Sequence, residues 1–183
     1  METGWCVWVT GLPGSGKSVI SHELLKLLNK NNINAQILSS DSLRKILTPK
    51  PTYSLEERDV VYNTLAYIAA LLAHNGVNVI IDATANLRRY RDALRIQIPK
   101  FLEVYVECPM EECIKREAKR KETYQAPKEI YSKGLEGKSQ TVPGIGQPYE
   151  APVQPEVTVN SFTSSPEQAA QKIFEAILAL KKG

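Results

Sequence analysis

Near the start of the chain, "GLPGSGKS" combines glycines, an ammonium and a hydroxyl at spacings suited to holding phosphate. The stretch fills every fixed position of G-x-x-x-x-G-K-[ST]. Glycines let successive backbone N–H groups turn inward around phosphate oxygens, and a helix starting there adds partial positive charge at its N-terminus. Lys17 is placed to reach the β- and γ-phosphates, and the Ser18 hydroxyl to sit on Mg²⁺. Gly11, Leu12, Pro13, Gly14, Ser15, Gly16, Lys17 and Ser18 are therefore expected to bind a nucleoside triphosphate. A basic segment lies later: Lys115, Arg116, Lys119, Arg120 and Lys121. Arg116 is the candidate for an ATP contact, because a guanidinium both stacks on adenine and binds phosphate. Lys115 and Lys121 fit a solvated helix face.

These residues need a scaffold, and the sequence alternates strand-like and helix-like segments. Apolar runs at 4–11, 35–40, 77–83, 101–107 and 156–161 read as strands. Helical periodicity follows at 17 to about 29, 55–75, about 88–98, 110 to about 119, and after Ser165-Pro166. In the second of these the inward stripe is expected through Val61, Leu65, Ile68 and Leu72. Such alternation predicts a mostly parallel sheet with helices on both faces. The phosphate-binding loop then joins the first strand to the first helix. Residues 120–155 are too long for an ordinary connection, and loops of that length are usually lids or binding loops. Within them "PGIGQPYEAPVQPE" holds four prolines, so it is neither helix interior nor central strand.

The chain has 183 residues, enough for one well-filled domain over 1–183 and too few for large motor modules. A net charge of +3 makes no case for nucleic acid or membrane binding. No apolar run reaches the ~20 residues a membrane span needs, and no signal peptide is read at the start. Cys6, Cys108 and Cys113 show no C-x-x-C spacing and read as reduced thiols of a cytoplasmic protein. His22 and His74 stand alone, without a second metal-type ligand at helical spacing. The N-K-x-D pattern by which GTPases read their base is absent.

The proline-rich segment carries a resemblance. "GIGQPYEAPVQPE" is similar throughout to the G-[IV]-x-x-P-Y-E-x-P-x-x-P-E signature of the adenylyl-sulfate (APS) kinase family, and the similarity runs from Val7 to about Asn160. The resemblance implies a P-loop α/β/α sandwich, a five-stranded parallel sheet ordered 2-3-1-4-5, and a lid at about 116–140. It implies ATP and adenylyl sulfate as ligands, Mg²⁺ as cofactor, and a possible homodimer. Ala151 and Pro152 would help frame the ATP adenine. "SSDSLR" matches the end of the family's D-G-D-N-[IV]-R, which makes Asp41 the carboxylate that accepts or orients the acceptor hydroxyl proton near Mg²⁺, beside Lys17. Asp41 also suits the N-cap of a short helix beginning at Ser42, and both roles can hold at once. "YSLEER" resembles F-S-x-[ED]-[DE]-R, so Tyr53 would stack on the adenine of APS while Arg58, with Arg44, would bind its phosphosulfate. Lys133 matches a lysine of the family's lid motif.

Departures are equally specific. Ser39 replaces the family's first aspartate, and Val61 stands where an asparagine is expected. Ala85 replaces a serine that carries phosphate in some relatives; Leu135 and Val142 replace an arginine and a stacking phenylalanine. Asp82 ends its strand with a carboxylate, as in P-loop kinases that hold Mg²⁺ through water, whereas APS kinases usually have serine there. The implied activity is phosphorylation of the 3′-hydroxyl of adenylyl sulfate. Kinases for other small hydroxyl compounds, and a nucleotide switch without transfer, stay open at this point.

Overall fold

The computed structural model describes residues 2–119, 126–127 and 129–180. Arg120 and Lys121, from the basic segment, lie outside the described residues. The elements are β1 (Cys6–Thr10), α1 (Lys17–Lys30), β2 (Ala35–Ser39), α2 (Ser40–Leu47), α3 (Leu55–His74), β3 (Asn78–Asp82), α4 (Arg88–Arg95), β4 (Phe101–Glu107), α5 (Met110–Lys119), α6 (Ile130–Leu135), β5 (Val157–Asn160) and α7 (Pro166–Leu180). The five strands form one parallel sheet in the order β2-β3-β1-β4-β5, as the resemblance implied.

Side chains of a strand alternate between faces, so a strand covered on both sides must be apolar throughout. The central strand β1 shows this. Trp5, Val7 and Val9 join the core under α1 and α7, with Leu24, Leu28, Ile173 and Ile177. Cys6 and Trp8 join the opposite core under α3 and α4, with Leu65, Ala69, Ile81 and Leu94. Each of these large side chains contributes about 1.5–3 kcal/mol on burial. The closing helix begins with a reciprocal cap: the Gln168 N–H donates to Ser165 Oγ at 3.3 Å, and the Ser165 N–H donates to Gln168 Oε1 at 2.9 Å.

Two local expectations are corrected. The buried face of α3 runs through Val61, Tyr62, Leu65, Ala66, Ala69, Ala70 and Ala73, leaving Ile68 and Leu72 only half-buried. Small alanines let the helix lie close on the sheet, so the larger residues sit at the edges of the contact. In α2 the helix starts two residues earlier than expected. Ser39, not Asp41, is its cap, accepting from the Ser42 N–H at 3.4 Å. Asp41 occupies the first turn, where a negative charge favours the helix dipole.

The proline-rich segment is drawn onto α4 by arginines. Arg91, fully buried, pairs with Glu103 through Nε at 2.5 Å and donates to the carbonyls of Ala85 and, at 2.6 Å, Glu150. Arg95 bridges Glu103 and Glu156, while the Glu103 N–H donates to Glu156 at 2.6 Å. Arg88 donates its backbone N–H to the Glu150 carboxylate at 2.8 Å and its guanidinium to the Ala151 carbonyl at 3.2 Å. Glu103 can be buried because these guanidiniums surround it. Replacing Arg91 by methionine should therefore cost about 3–5 kcal/mol, since it strips a partner from a buried carboxylate and orphans two carbonyls. Urea denaturation measures this. A loss too small to resolve would show that the segment is held by something else.

Candidate active site

In a parallel sheet all carboxyl ends lie along one edge, and ligands bind where successive connections leave in opposite directions. Here that edge gathers the loop after β1, the end of β3 and the start of α2. Gly14 and Gly16 adopt φ of 78° and 100°, in the left-handed region that a side chain disfavours. A Cβ on Gly14 would also lie 2.5 Å from the Cys113 carbonyl oxygen, so α5 packs directly behind the loop. Lys17 folds back across the loop, its ammonium donating to the carbonyls of Gly11 at 3.0 Å and Leu12 at 2.9 Å. The Tyr131 hydroxyl, from α6, donates to the Pro13 carbonyl at 2.7 Å and latches that helix to the loop.

A cavity of about 680 Å³ opens above this edge, within the usual size of a small-molecule site. Its wall contains Pro13, Gly14, Gly16, Lys17, Ser18, Asp41, Arg44, Tyr53, Arg58, Asp82, Arg116 and Lys133, so nearly all the residues singled out in the sequence meet in one place. Gly11, Leu12 and Ser15 sit behind the wall, inside the loop. Residues 126–127, Ile130, Ser139 and 141–143 close another side. Ala151 and Pro152, expected to help frame the ATP adenine, are not among the residues that line the cavity. Arg88, Arg91 and Arg95 hold their segment against α4 instead. Ala85 is buried away from the cavity, Val61 is buried behind it, and Val142 lines it.

Polar groups divide the cavity into two ends. At the loop end, Asp82 is 7% exposed. Burial holds its carboxyl above the ordinary aspartate range, against the Lys17 charge, a hydrogen bond with the Ser18 side chain and the His22 charge. Ser18, Asp41 and Asp82 supply oxygen donors only. That suits Mg²⁺, which is held by one or two carboxylates plus substrate phosphates rather than by a protein cage. At the far end Arg44 pairs with Glu57, and its guanidinium carbon lies 4.6 Å from the centre of the Tyr53 ring. Arg58 donates to the Tyr53 carbonyl at 3.1 Å, to Asn86 at 3.2 Å and to the Thr141 carbonyl at 2.5 Å.

Residues 3–160 match the family model described as Adenylylsulphate kinase. The chain belongs to that family. A probable adenylyl-sulfate kinase of Pyrococcus abyssi is 34% identical over 171 residues, covering 93% of each chain. The adenylyl-sulfate kinase of a Picosynechococcus species is 33% identical over 177 residues, 97% of this chain and 95% of that one. An APS kinase of Mycobacterium tuberculosis, solved in complex with AMPPNP and APS, superposes with a TM-score of 0.85 at 29% identity, covering 98% of this chain and 99% of that one. The chain is thus an enzyme of the adenylylsulphate kinase family.

Sequence reasoning missed part of the wall in this family member. Ser161, Phe162, Ser164 and Pro166 line the cavity from the connection between β5 and α7. Arg116 is anchored there, donating to the Ser161 carbonyl at 2.9 Å and to Glu112 at 3.0 Å. Only the position of these residues, just beyond the carboxyl end of a strand, could have nominated them. Thr141, whose carbonyl holds Arg58, and Asn86 carry no signal in residue type either.

The raised pKa of Asp82 fixes a sign. The folded protein favours the protonated carboxyl, so its stabilising contribution is complete below the unfolded pKa of about 3.9 and is lost as pH rises. Asp82→Asn removes that loss. The melting temperature of ligand-free Asp82→Asn relative to wild type should therefore increase from acidic to neutral pH. A flat difference would show no preference for the protonated form, and one that falls with pH would show that the carboxylate is stabilised in the fold.

Proposed function

We propose that this chain transfers the γ-phosphoryl group of ATP to the 3′-hydroxyl of adenylyl sulfate, releasing ADP and 3′-phosphoadenylyl sulfate. One observation carries the proposal. A single cavity is lined by a phosphate-binding loop, by an aromatic ring with two guanidiniums, and by Asp41, in a chain of this family. The backbone N–H groups of Gly14 to Ser18 and the Lys17 ammonium would hold the triphosphate. Ser18, Asp41 and Asp82 would hold Mg²⁺, which when bound neutralises charge on phosphate oxygens. Asp41 would take or orient the proton of the attacking hydroxyl as its oxygen bonds to the γ-phosphorus and the bridging P–O bond breaks. Tyr53 would stack on the acceptor's adenine, and Arg44, Arg58 and Lys133 would face its anionic groups. We also infer one kinase domain over residues 1–183, with residues about 116–140 as its lid. Three free, buried cysteines support a reducing, cytoplasmic setting.

A second possibility, a kinase for another hydroxyl compound, draws on a specific feature. Arg44 is already paired with Glu57, and three donors of Arg58 are engaged within the protein. Less of either guanidinium is left for a phosphosulfate.

Incubation with Mg-ATP and adenylyl sulfate should yield ADP and 3′-phosphoadenylyl sulfate in equal amounts, separated by chromatography. Absence of that product, with ADP formed on some other acceptor from a panel of hydroxyl compounds, would replace the first possibility with the second. Lys17→Ala should lower turnover by orders of magnitude. Arg44→Lys keeps a charge beside Glu57 but loses the planar fork. It should raise KM for adenylyl sulfate about tenfold to a hundredfold while leaving KM for ATP unchanged. Equal rises in both constants would remove Arg44 from the acceptor side.

A further inference from the structure

The connection from α2 to α3, residues 48–54, has no regular structure and carries two prolines, Pro49 and Pro51. Its polar groups converge on one carboxylate, that of Glu57 in the first turn of α3. Oε1 accepts from the Arg44 guanidinium and lies 3.4 Å from the Thr48 hydroxyl. Oε2 accepts from the Thr52 N–H, from the Thr52 hydroxyl at 2.7 Å and from the Tyr53 N–H at 3.1 Å. The Glu57 side chain is 8% exposed. Burial opposes its ionisation, but the hydrogen bonds from Thr52, the Arg44 charge and the Tyr53 N–H outweigh it and leave the carboxyl below its ordinary pKa.

Tyr53 shows what this convergence accomplishes. Its φ is 57°, a strained conformation for a bulky L-residue that persists only where neighbours impose it. Two consecutive residues of α3 impose it here: Glu57 takes the Tyr53 N–H, and Arg58 donates to the Tyr53 carbonyl. Glu57 at the same time draws Arg44 over the Tyr53 ring. Tyr53 and Arg44 line the cavity; Glu57 does not.

We propose that Glu57 is a positioning residue for the acceptor half of the site, holding the Tyr53 ring and the Arg44 guanidinium as one preformed unit without touching the acceptor. The proposal rests on the acceptor-side role of Tyr53 and Arg44 given under the proposed function. It also explains why a carboxylate is needed rather than any polar residue. The Arg44 guanidinium and the Thr52 and Tyr53 N–H groups can only donate, and a carboxylate can only accept. A glutamine of the same shape must aim its NH₂ at one of these fixed donors.

The test uses Glu57→Gln in the full chain, with three measurements. Amide hydrogen exchange of peptides covering residues 48–54 should be faster than in wild type without any ligand. KM for adenylyl sulfate should rise about tenfold or more, the loss expected for charge-assisted bonds, with kcat at saturation held. Affinity for AMPPNP should not change. A double-mutant cycle with Tyr53→Ala separates positioning from general support: acting through Tyr53, Glu57→Gln should cost far less in that background. Unchanged exchange at 48–54, additive penalties in the cycle, or equal weakening of AMPPNP and adenylyl sulfate would each overturn the proposal. Should Glu57→Gln not fold, Glu57→Asp, which keeps the charge and loses reach, is judged by the same measurements. If wild type makes no product from adenylyl sulfate, the proposed function fails. The exchange measurement and the cycle, run with whichever acceptor the panel identifies, then decide the role of Glu57.

Discussion

One row of the parallel sheet fixes where chemistry can occur. Ser39, Asp82, Val9, Val104 and Val157 are register partners across the five strands, and Ser39, Asp82 and Val9 stand at or next to the carboxyl ends of β2, β3 and β1. Sliding β3 by one residue would turn Asp82 to the opposite face, away from Ser18 and Lys17. The same row makes sense of two departures noted in the sequence. Ser39 stands where the family's motif has aspartate, and Asp82 where it usually has serine. They are direct partners on neighbouring strands, whose side chains share a face about 4.8 Å apart. A carboxylate and a hydroxyl have exchanged strands, and the row still holds one carboxylate. Taken singly, Ser39 read as a loss; only the register shows the two positions as a pair.

That row needs support from below, and charge supplies part of it. Glu103 lies within β4, where a bare carboxylate would be untenable. Arg91 and Arg95 surround it, and the same two side chains bind Glu150 and Glu156 of the proline-rich segment. Prolines suit this strap because they lower the entropy lost when it is fixed, and its Glu150 and Ala151 carbonyls accept from arginine donors. Beyond Pro143, which lines the cavity, the segment that carries the family signature packs against α4. It ties α4 to β4 and, through Asn86, to the guanidinium of Arg58.

Legibility in the sequence followed how tightly a function constrains residue type. The phosphate-binding loop was readable because backbone conformation demands its glycines, and phosphate chemistry demands the adjoining lysine and hydroxyl. Strand positions were readable because a strand buried on both faces must be apolar. The phase of α3 was not, since alanine contributes too little to a hydrophobic stripe to show which face lies closest to the sheet. Nor was the cap of α2: serine and aspartate cap equally well, so Ser39 and Asp41 could not be told apart without coordinates. Phe162 and Thr141 reach the cavity through loop geometry alone. Ala151 and Pro152 were placed by resemblance; they lie outside the cavity wall, in the segment that the arginines of α4 hold.

Arg44 and Arg58 show why motif and role can diverge. Both were nominated as ligand-binding charges, and both line the cavity, yet each is buried and bonded within the protein. The two demands need not conflict. A guanidinium has five donors in a rigid plane, so some can fix its position while others face the cavity. Holding the side chain beforehand removes rotamer entropy that binding would otherwise lose, roughly 0.5–1.5 kcal/mol for each long side chain. A lysine offers one point of charge on a flexible stem and lacks this rigid fork. The internal partners of these arginines, Glu57 above all, are therefore as much a part of the proposed acceptor site as the surfaces a ligand would touch.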